Sequence, residues 1–169
     1  PKVREKIGYV FQDSDSQLFT SRVYDDVAFA PRNYGLPEPE VEKRVEQALA
    51  MTKITHLKEK QTYKMSGGEK KLASIATILA MAPDIILMDE PSIALDPRNR
   101  RNLIHILNTF DHLKIIASHD LDMVLDTCNR VLLMQEGRII RDGNAKEILS
   151  DQELLEAHGL ELPLCMQGS

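Results

Sequence analysis

The chain has 169 residues, of which 43% are hydrophobic and 28% are charged, and its formal net charge is −5. This length suits one domain, or one domain with a small insert, because most domains contain roughly 100–200 residues. No apolar run approaches the roughly 18 residues of a membrane span, and no cluster of Lys or Arg marks a nucleic-acid surface. Cys128 and Cys165 lie far apart without metal-ligand spacing, which indicates a reducing compartment. We therefore expect no nucleic-acid partner, and any link to a membrane must run through another protein.

The first element in chain order is a short apolar run, Ile7–Phe11, which is rich in strand formers and predicts a β-strand. The polar stretch Gln12–Ser16 then predicts a loop. Further on, apolar residues recur at helical spacing, at Val41, Val45, Ala48 and Leu49. We predict a core strand with its loop over residues 1–14 and a helical subdomain over residues 15–65.

From Ser66 onward, helical stripes alternate with short, continuous apolar runs. Runs of this kind are typical of buried parallel strands, and they are Ile85–Met88, Leu113–Ala117 and Val131–Gln135. The alternation predicts an α/β fold with a mainly parallel sheet. A hairpin turn at Glu136-Gly137 is predicted to lead into an edge strand at Arg138–Arg141. We predict that residues 66–150 form this part of the core, and that residues 151–169 form a closing helix and tail.

Polar residues at the ends of the predicted strands are the first candidates for a site, because ligands of open α/β sheets bind beyond the carboxyl ends of the strands. The strands end at Gln12, at Asp89-Glu90 and at Ser118-His119-Asp120. A single Asp after a strand is also a common helix N-cap, but two adjacent carboxylates point to opposite sides and can take separate roles. One suits Mg²⁺, which prefers a carboxylate or two with phosphate oxygens and water, and the other suits a base for an attacking water.

The segment Ser66-Gly67-Gly68-Glu69 has two interpretations. Ser66 and Glu69 match a helix capping box, which requires no function. The two glycines between them favour close approach of a phosphate to a helix N-terminus, since a cap does not need them. Asp96-Pro97 has the same ambiguity, because N-cap Asp followed by Pro is an ordinary helix start.

Five segments occur in the order and spacing of the ABC-type ATPases: Phe11-Gln12, Met65–Glu69, Ile85–Pro91, Ser92–Asp96 and Ser118–Asp120. The sequence resembles this family over nearly its whole length. It looks closest to the importer ATPases of the cobalt, nickel and energy-coupling-factor vitamin type, through Val10–Gln12, Asp15–Phe19, Asp26–Phe29 and the tail Leu154–Pro163. The resemblance implies the core of a P-loop NTPase with a mainly parallel sheet, together with a helical subdomain.

The resemblance also implies the roles of the candidate residues. Asp89 would hold Mg²⁺, Glu90 would be the general base, and Gln12 would lie near the metal and the water. His119 would contact the γ-phosphate of ATP. Two such subunits pair head to tail, so that residues from one subunit face the ATP of the other. The residues implied in that contact are Ser66, Gly67, Gly68 and Glu69, with Asp96 in the loop that crosses the dimer.

The implied partners are a second ABC ATPase subunit and an integral membrane transporter subunit, which would be contacted through the Gln12–Phe29 region. The implied location is cytoplasmic, on the inner face of the cell membrane, and the implied cargo is a transition metal ion or a vitamin. Phe19 and Phe29 themselves are predicted to be core residues, as aromatics of small domains generally are. The alternatives are a soluble ABC-type ATPase of DNA repair or translation, or a non-catalytic fragment.

Several residues depart from the family pattern. Glu69 stands where Gln is usual, Met65 where Leu is usual and Leu72 where a basic residue is frequent. No glycine of the chain is followed by lysine, so the phosphate-binding pattern G-x-x-x-x-G-K-[ST] is absent from these residues. Since the first residue is Pro1, we expect a longer gene product, a sheet that is incomplete at its N-terminal side, and no micromolar ATP binding by this chain alone in calorimetry.

Overall fold

Helices and strands alternate along the chain in the computed structural model, which describes residues 3–168. The strands are β1 (Ile7–Val10), β2 (Ile85–Asp89), β3 (Leu113–Ala117), β4 (Arg130–Gln135) and β5 (Arg138–Asn144). The helices are α1 (Val3–Lys6), α2 (Val23–Asn33), α3 (Glu38–Met51), α4 (Gly67–Leu79), α5 (Pro97–Thr109), α6 (Leu121–Thr127), α7 (Ala145–Leu149) and α8 (Gln152–Ala157). The chain divides into two units between Ala117 and Ser118.

The first unit contains a three-stranded parallel sheet in the order β1-β2-β3, which confirms the predicted α/β architecture. The central strand β2 buries Ile86 and Met88. Strand β3 departs from the prediction of burial on both faces, because Leu113 is 56% exposed and Ile115 is 55% exposed. β3 lies at the end of the strand order, and its alternate residues face solvent with the period of two that strands impose.

The segment between β1 and α4 is largely helical, as predicted. The apolar stripe of α3 lies inward, and its four predicted members are all buried: Val41, Val45, Ala48 and Leu49. The prediction that Phe19 and Phe29 belong to the core is wrong, since both side chains are exposed and pack on each other. The separation of this segment as a subdomain remains a prediction.

Helix α4 is buried on almost every side, whereas its sequence predicts a single apolar stripe. It packs against α2, α3 and β1, so even Lys71, Ser74 and Thr77 are removed from solvent. The contact with β1 is close at Gly8, where a Cβ atom would overlap the Ile78 side chain. Glycine is therefore required at this position for the strand and the helix to approach.

The second unit contains an antiparallel pair, β4 and β5, joined at Glu136-Gly137. The predicted hairpin is confirmed, but the prediction of Val131–Gln135 as a buried parallel strand is wrong. The strand pairs only with β5 among the described residues, and Leu133 is buried while Leu132 and Met134 are exposed. An apolar run alone does not distinguish a two-face strand from a one-face strand.

The core of the second unit is small and is supplied by its helices. It consists of Val124, Leu149 and Leu155, with Leu121 and Leu125 packed against it. The closing helix predicted within residues 151–169 is present as α8, and it is preceded by α7. No helix among residues 3–168 has the length and apolar character that crossing a membrane requires.

Candidate active site

The carboxyl ends of β1 and β2 bring three of the predicted residues to one edge of the sheet. The parallel register pairs Val10 with Met88, so Gln12, two residues after β1, lies at the same sheet edge as Asp89, the last residue of β2, and Glu90, which follows it. Gln12 is exposed, and the two carboxylates are half-buried. We call Gln12, Asp89 and Glu90 the strand-end cluster.

Glu90 has an unusual backbone conformation. Its φ angle is +46°, in the left-handed region that glycine adopts more readily than any other residue. Its backbone N–H donates to the Ala117 carbonyl oxygen at 2.8 Å, which ties the residue to the end of β3. Non-glycine residues in this region cost about 1–3 kcal/mol each and concentrate at functional sites. Lys53, Ala82, Ala94 and Glu136 also have positive φ angles, so this conformation accompanies the candidate site at Glu90 and does not by itself identify it.

A buried lysine that the sequence does not reveal lies beside this cluster. Lys71 is 1% exposed, and its Nζ donates to the carbonyl oxygens of Phe11 at 3.0 Å and Gln12 at 2.6 Å. Burial lowers the pKa of the Lys71 ammonium, while the carboxylates of Asp13 and Asp89 oppose that shift. In the sequence Lys70-Lys71 resembles a solvated pair, and the burial of Lys71 follows only from the packing around α4.

A second side chain attaches the loop after β1, residues 11–17, to α4. The Gln17 side-chain nitrogen donates to the Ser74 carbonyl at 2.7 Å and to the Thr77 hydroxyl at 2.9 Å. Its side-chain oxygen accepts from the Phe11 backbone N–H at 3.2 Å. The loop is thus bonded to α4 near both of its ends.

The start of α4 carries Ser66–Glu69, which we call the helix-start segment. The Ser66 hydroxyl accepts from the Glu69 backbone N–H at 3.2 Å, and Glu69 Oε2 accepts from the Ser66 backbone N–H at 2.8 Å. Glu69 also accepts from Lys60 Nζ at 2.9 Å, and this hydrogen bond holds the pKa of the Glu69 carboxyl below its usual range. The capping interpretation of Ser66 and Glu69 is therefore confirmed.

The two glycines of this segment pack against the chain that follows β2. A Cβ atom on Gly68 would lie 3.3 Å from the Ala94 carbonyl oxygen, and one on Gly67 would lie 3.6 Å from the Ala94 side chain. Asp96 begins α5, where it accepts from the Asn99 backbone N–H at 2.8 Å. The structure thus brings the helix-start segment next to residues 94–99. Close packing against Ala94 is therefore a reason for glycine at position 68 that requires no ligand.

His119 lies in the second unit, two residues after β3 ends, and its side chain is exposed. The neighbouring Asp120 caps α6 by accepting from the Met123 backbone N–H at 3.0 Å. The Ser118 hydroxyl accepts from the Asp120 backbone N–H at 3.1 Å. Local hydrogen bonds therefore fix the backbone on which His119 is carried.

Comparison with known proteins identifies the family. The family described as ABC transporter matches residues 1–93. A Geobacter sulfurreducens protein named as an ABC transporter ATP-binding protein is 51% identical over 168 residues, covering 99% of this chain and 68% of the relative. The chain belongs to the ABC transporter family.

Two further relatives of this ABC family member bear on its subgroup. The energy-coupling factor transporter ATP-binding protein EcfA of Carboxydothermus hydrogenoformans is 42% identical, covering 98% of this chain and 62% of the relative. The structure of cbiO1 from Clostridium perfringens, described as part of the ABC transporter complex cbiONQ, is 43% identical with a TM-score of 0.80. It covers 98% of this chain and 67% of that one. The predicted resemblance to this subgroup and the predicted fold are confirmed, and the chain spans 58–68% of the first relatives matched.

The strand-end cluster of this ABC family member fits a magnesium ion that is held together with nucleotide phosphates. No group of three or more His, Cys, Asp or Glu within residues 3–168 is arranged to hold a metal ion. Mg²⁺ in nucleotide sites binds one or two carboxylates plus phosphate oxygens and water, rather than a cage made only of protein groups. Asp89, half-buried at a strand end, is a donor of the required kind.

An exposed aromatic pair lies in the region that follows the strand-end cluster. Phe19 is 66% exposed and Phe29 is 47% exposed, and their rings meet edge to face with centroids 4.7 Å apart. The buried Asp26 carboxylate accepts from the backbone N–H groups of Phe19 and Thr20, each at 3.0 Å. The loop that carries Phe19 is therefore anchored from inside while its ring remains at the surface.

Proposed function

We propose that this chain is the nucleotide-hydrolysing part of an ABC-type importer. The observation that carries the proposal is the strand-end cluster, in which Asp89 ends the central parallel strand, Glu90 follows it, and Gln12 follows the end of the neighbouring strand. Membership of the ABC transporter family supports it.

In this proposal the residues of the strand-end cluster divide the chemistry between them. Asp89 would hold the magnesium of Mg-ATP, and that ion would supply positive charge that neutralises the phosphates. Glu90 takes the proton from the attacking water as general base. Gln12 orients that water from the neighbouring strand end. His119 donates a hydrogen bond to the γ-phosphate.

The helix-start segment serves a second site in the proposed head-to-tail dimer. Ser66, Gly67 and Gly68 contact the γ-phosphate of ATP bound mainly by the partner subunit. Glu69 fixes the cap from which those contacts are made, and Asp96 belongs to the loop that crosses the dimer. The backbone N–H groups at a helix N-terminus form a ready anion site, which supports this assignment.

The relatives named as an energy-coupling factor transporter ATP-binding protein and as part of the complex cbiONQ support an importer. We propose a transition metal ion or a vitamin as the cargo and an integral membrane subunit as the partner, contacted through the Gln12–Phe29 region. The exposed Phe19–Phe29 pair supports this contact, because aromatic anchors dominate many interfaces. The ATPase subunit would then lie at the cytoplasmic face of the membrane.

The activity can be tested in a full-length chimera in which this chain replaces the matched 168 residues of the Geobacter sulfurreducens relative. Glu90→Gln should lower kcat by roughly 10²–10⁴-fold while ATP binding is retained, as expected for loss of a general base. Glu136→Gln is the matched control, because Glu136 also has a positive φ angle, +49°, but lies in the hairpin turn. Absence of ATP hydrolysis by the parent chimera, or unchanged turnover in E90Q, would refute the proposal.

The membrane contact can be tested with a corresponding chimera built on cbiO1 of Clostridium perfringens, and with the other members of the complex cbiONQ to which cbiO1 belongs. Replacing Phe19 and Phe29 together by Ala should weaken binding at least about tenfold in a detergent-phase titration, as loss of an aromatic anchor does. Tyr63→Ala is the control, since Tyr63 is an equally exposed aromatic outside the Gln12–Phe29 region. Equal binding by the double variant and the control would rule out this surface.

A further inference from the structure

Lys71 is one of the largest fully buried side chains of the molecule. A buried ammonium costs free energy unless hydrogen bonds replace its water, so its position requires a specific set of partners. Those partners are the carbonyl oxygens of Phe11 and Gln12, at 3.0 and 2.6 Å from Nζ. The Lys71 ammonium is therefore hydrogen-bonded to the backbone of the loop that carries Gln12.

These two carbonyls lie where β1 leaves the sheet. The last pair of the parallel register is Val10 with Met88, so the carbonyls of Phe11 and Gln12 follow the end of the ladder. Backbone groups removed from a ladder require other partners when they are screened from water. By donating to both, the Lys71 ammonium fixes the direction in which the chain turns at Gln12.

The same helix fixes the other end of the loop through Gln17, which bridges the Phe11 backbone N–H and the Ser74 carbonyl. Lys70 makes a further ion pair with Asp15 at 2.6 Å, but the Asp15 side chain is 70% exposed. Exposed pairs of this kind contribute little to stability. The firm attachments of the loop are those of Lys71 and Gln17, and both lead to α4.

Helix α4 also begins with the helix-start segment, and Lys71 follows Ser66 by about one and a half helical turns. A displacement of Ser66 along the helix axis is therefore transmitted to the Phe11 and Gln12 carbonyls through a short, rigid stretch. We propose that Lys71 is a positioning residue that holds Gln12 in register with the start of α4, so that the two half-sites of one chain move together. This inference rests on the function proposed above.

The test uses the full-length chimera and compares Lys71→Met with Lys70→Met as the matched control. K71M removes the ammonium while keeping a long side chain that fills the buried space. The kcat of K71M should fall about 10- to 100-fold with little change in KM for ATP, since a small displacement of a catalytic group can cost that much. Hydrogen exchange of residues 11–17 should be faster in K71M than in K70M. Unchanged kcat and unchanged exchange would overturn the inference.

A double-mutant cycle distinguishes positioning of Gln12 from a general structural role. Because Lys71 acts through Gln12, K71M should cause little further loss of kcat in a Gln12→Ala background. An equal loss in both backgrounds would show that Lys71 does not act through Gln12. If K71M does not fold, Lys71→Gln replaces it in the same cycle, because it also removes the ammonium, with the same expected non-additivity and the same contradicting outcome.

Failure of this inference is distinguishable from failure of the proposed function. If the chimera hydrolyses ATP and loses turnover in E90Q, but K71M is as active as K70M, the proposed function stands. The positioning role of Lys71 is then excluded. A chimera whose turnover does not depend on Glu90 fails at the earlier step.

Discussion

The strand-end cluster and the helix-start segment differ in how much of their structure is explained without a ligand. In the helix-start segment, Ser66 and Glu69 complete a capping box, Glu69 pairs with Lys60, and Gly68 admits the close Ala94 carbonyl. In the strand-end cluster, Glu90 adopts a left-handed backbone that glycine would adopt at lower cost. Ala94, beside the helix-start segment, has a positive φ angle too, so the strand-end cluster is distinguished by its two adjacent carboxylates and not by its backbone conformation.

The largest expected effect comes from making the same substitution in both regions. Glu90→Asn should reduce kcat of the chimera by roughly 10²–10⁴-fold, because the base is lost. It should leave stability intact, because Asn tolerates the left-handed region. Glu69→Asn should instead destabilise the fold by about 1 kcal/mol, since it removes one member of a cap. Steady-state turnover and urea unfolding of both variants measure the contrast, and a large loss of stability in E90N would contradict it.

The next effect compares Gly8 of β1, which packs against α4, with Gly68 in the first turn of α4. Gly8→Ala should destabilise the fold by about 1–3 kcal/mol, because its Cβ would overlap the Ile78 side chain and the core would be overpacked. Gly68→Ala should change stability by less than about 1 kcal/mol, since its 3.3 Å contact competes with the higher helix propensity of Ala. The midpoints of urea unfolding rank the two variants, and the reverse order would refute the account of β1 packing.

A smaller effect separates capping from ligand contact at Ser66. Ser66→Ala should cost about 1 kcal/mol of stability, whereas Ser66→Asn should retain the cap. If Ser66 also contacts nucleotide across the dimer, both variants should lose turnover in the chimera. Full activity in S66N would show that Ser66 caps α4 and does not contact the nucleotide.

The smallest effect concerns the pH dependence of the helix-start segment. The Lys60 hydrogen bond lowers the folded-state pKa of Glu69. Its contribution to stability is therefore present above the unfolded-state pKa of Glu and is lost as pH falls through the folded-state value. Urea unfolding between neutral and acid pH should show a shallower decline for Glu69→Gln than for the parent, with Glu136→Gln as the control. Parallel curves would exclude the Lys60 pair as the cause.

The sequence predicted the parts of the molecule that depend on local pattern and motif. The ends of β1 and β2, the cap at Ser66 and the hairpin at Glu136-Gly137 follow from apolar runs and turn residues. The burial of Lys71 could not be predicted, because it depends on three elements packing around α4. The backbone of Glu90 likewise depends on a residue distant in sequence, because its N–H donates to the Ala117 carbonyl oxygen.

The claim that the two regions of one chain serve different sites of a dimer can be measured with covalently linked pairs of chimeras. In one pair, E90Q lies on one copy and S66N on the other, so both defects fall in the same site. Such a pair should retain about half of the parent turnover. In the second pair, both substitutions lie on one copy and each disables a different site, so turnover should be lost. Equal turnover in the two pairs, or the reverse order, would contradict the account.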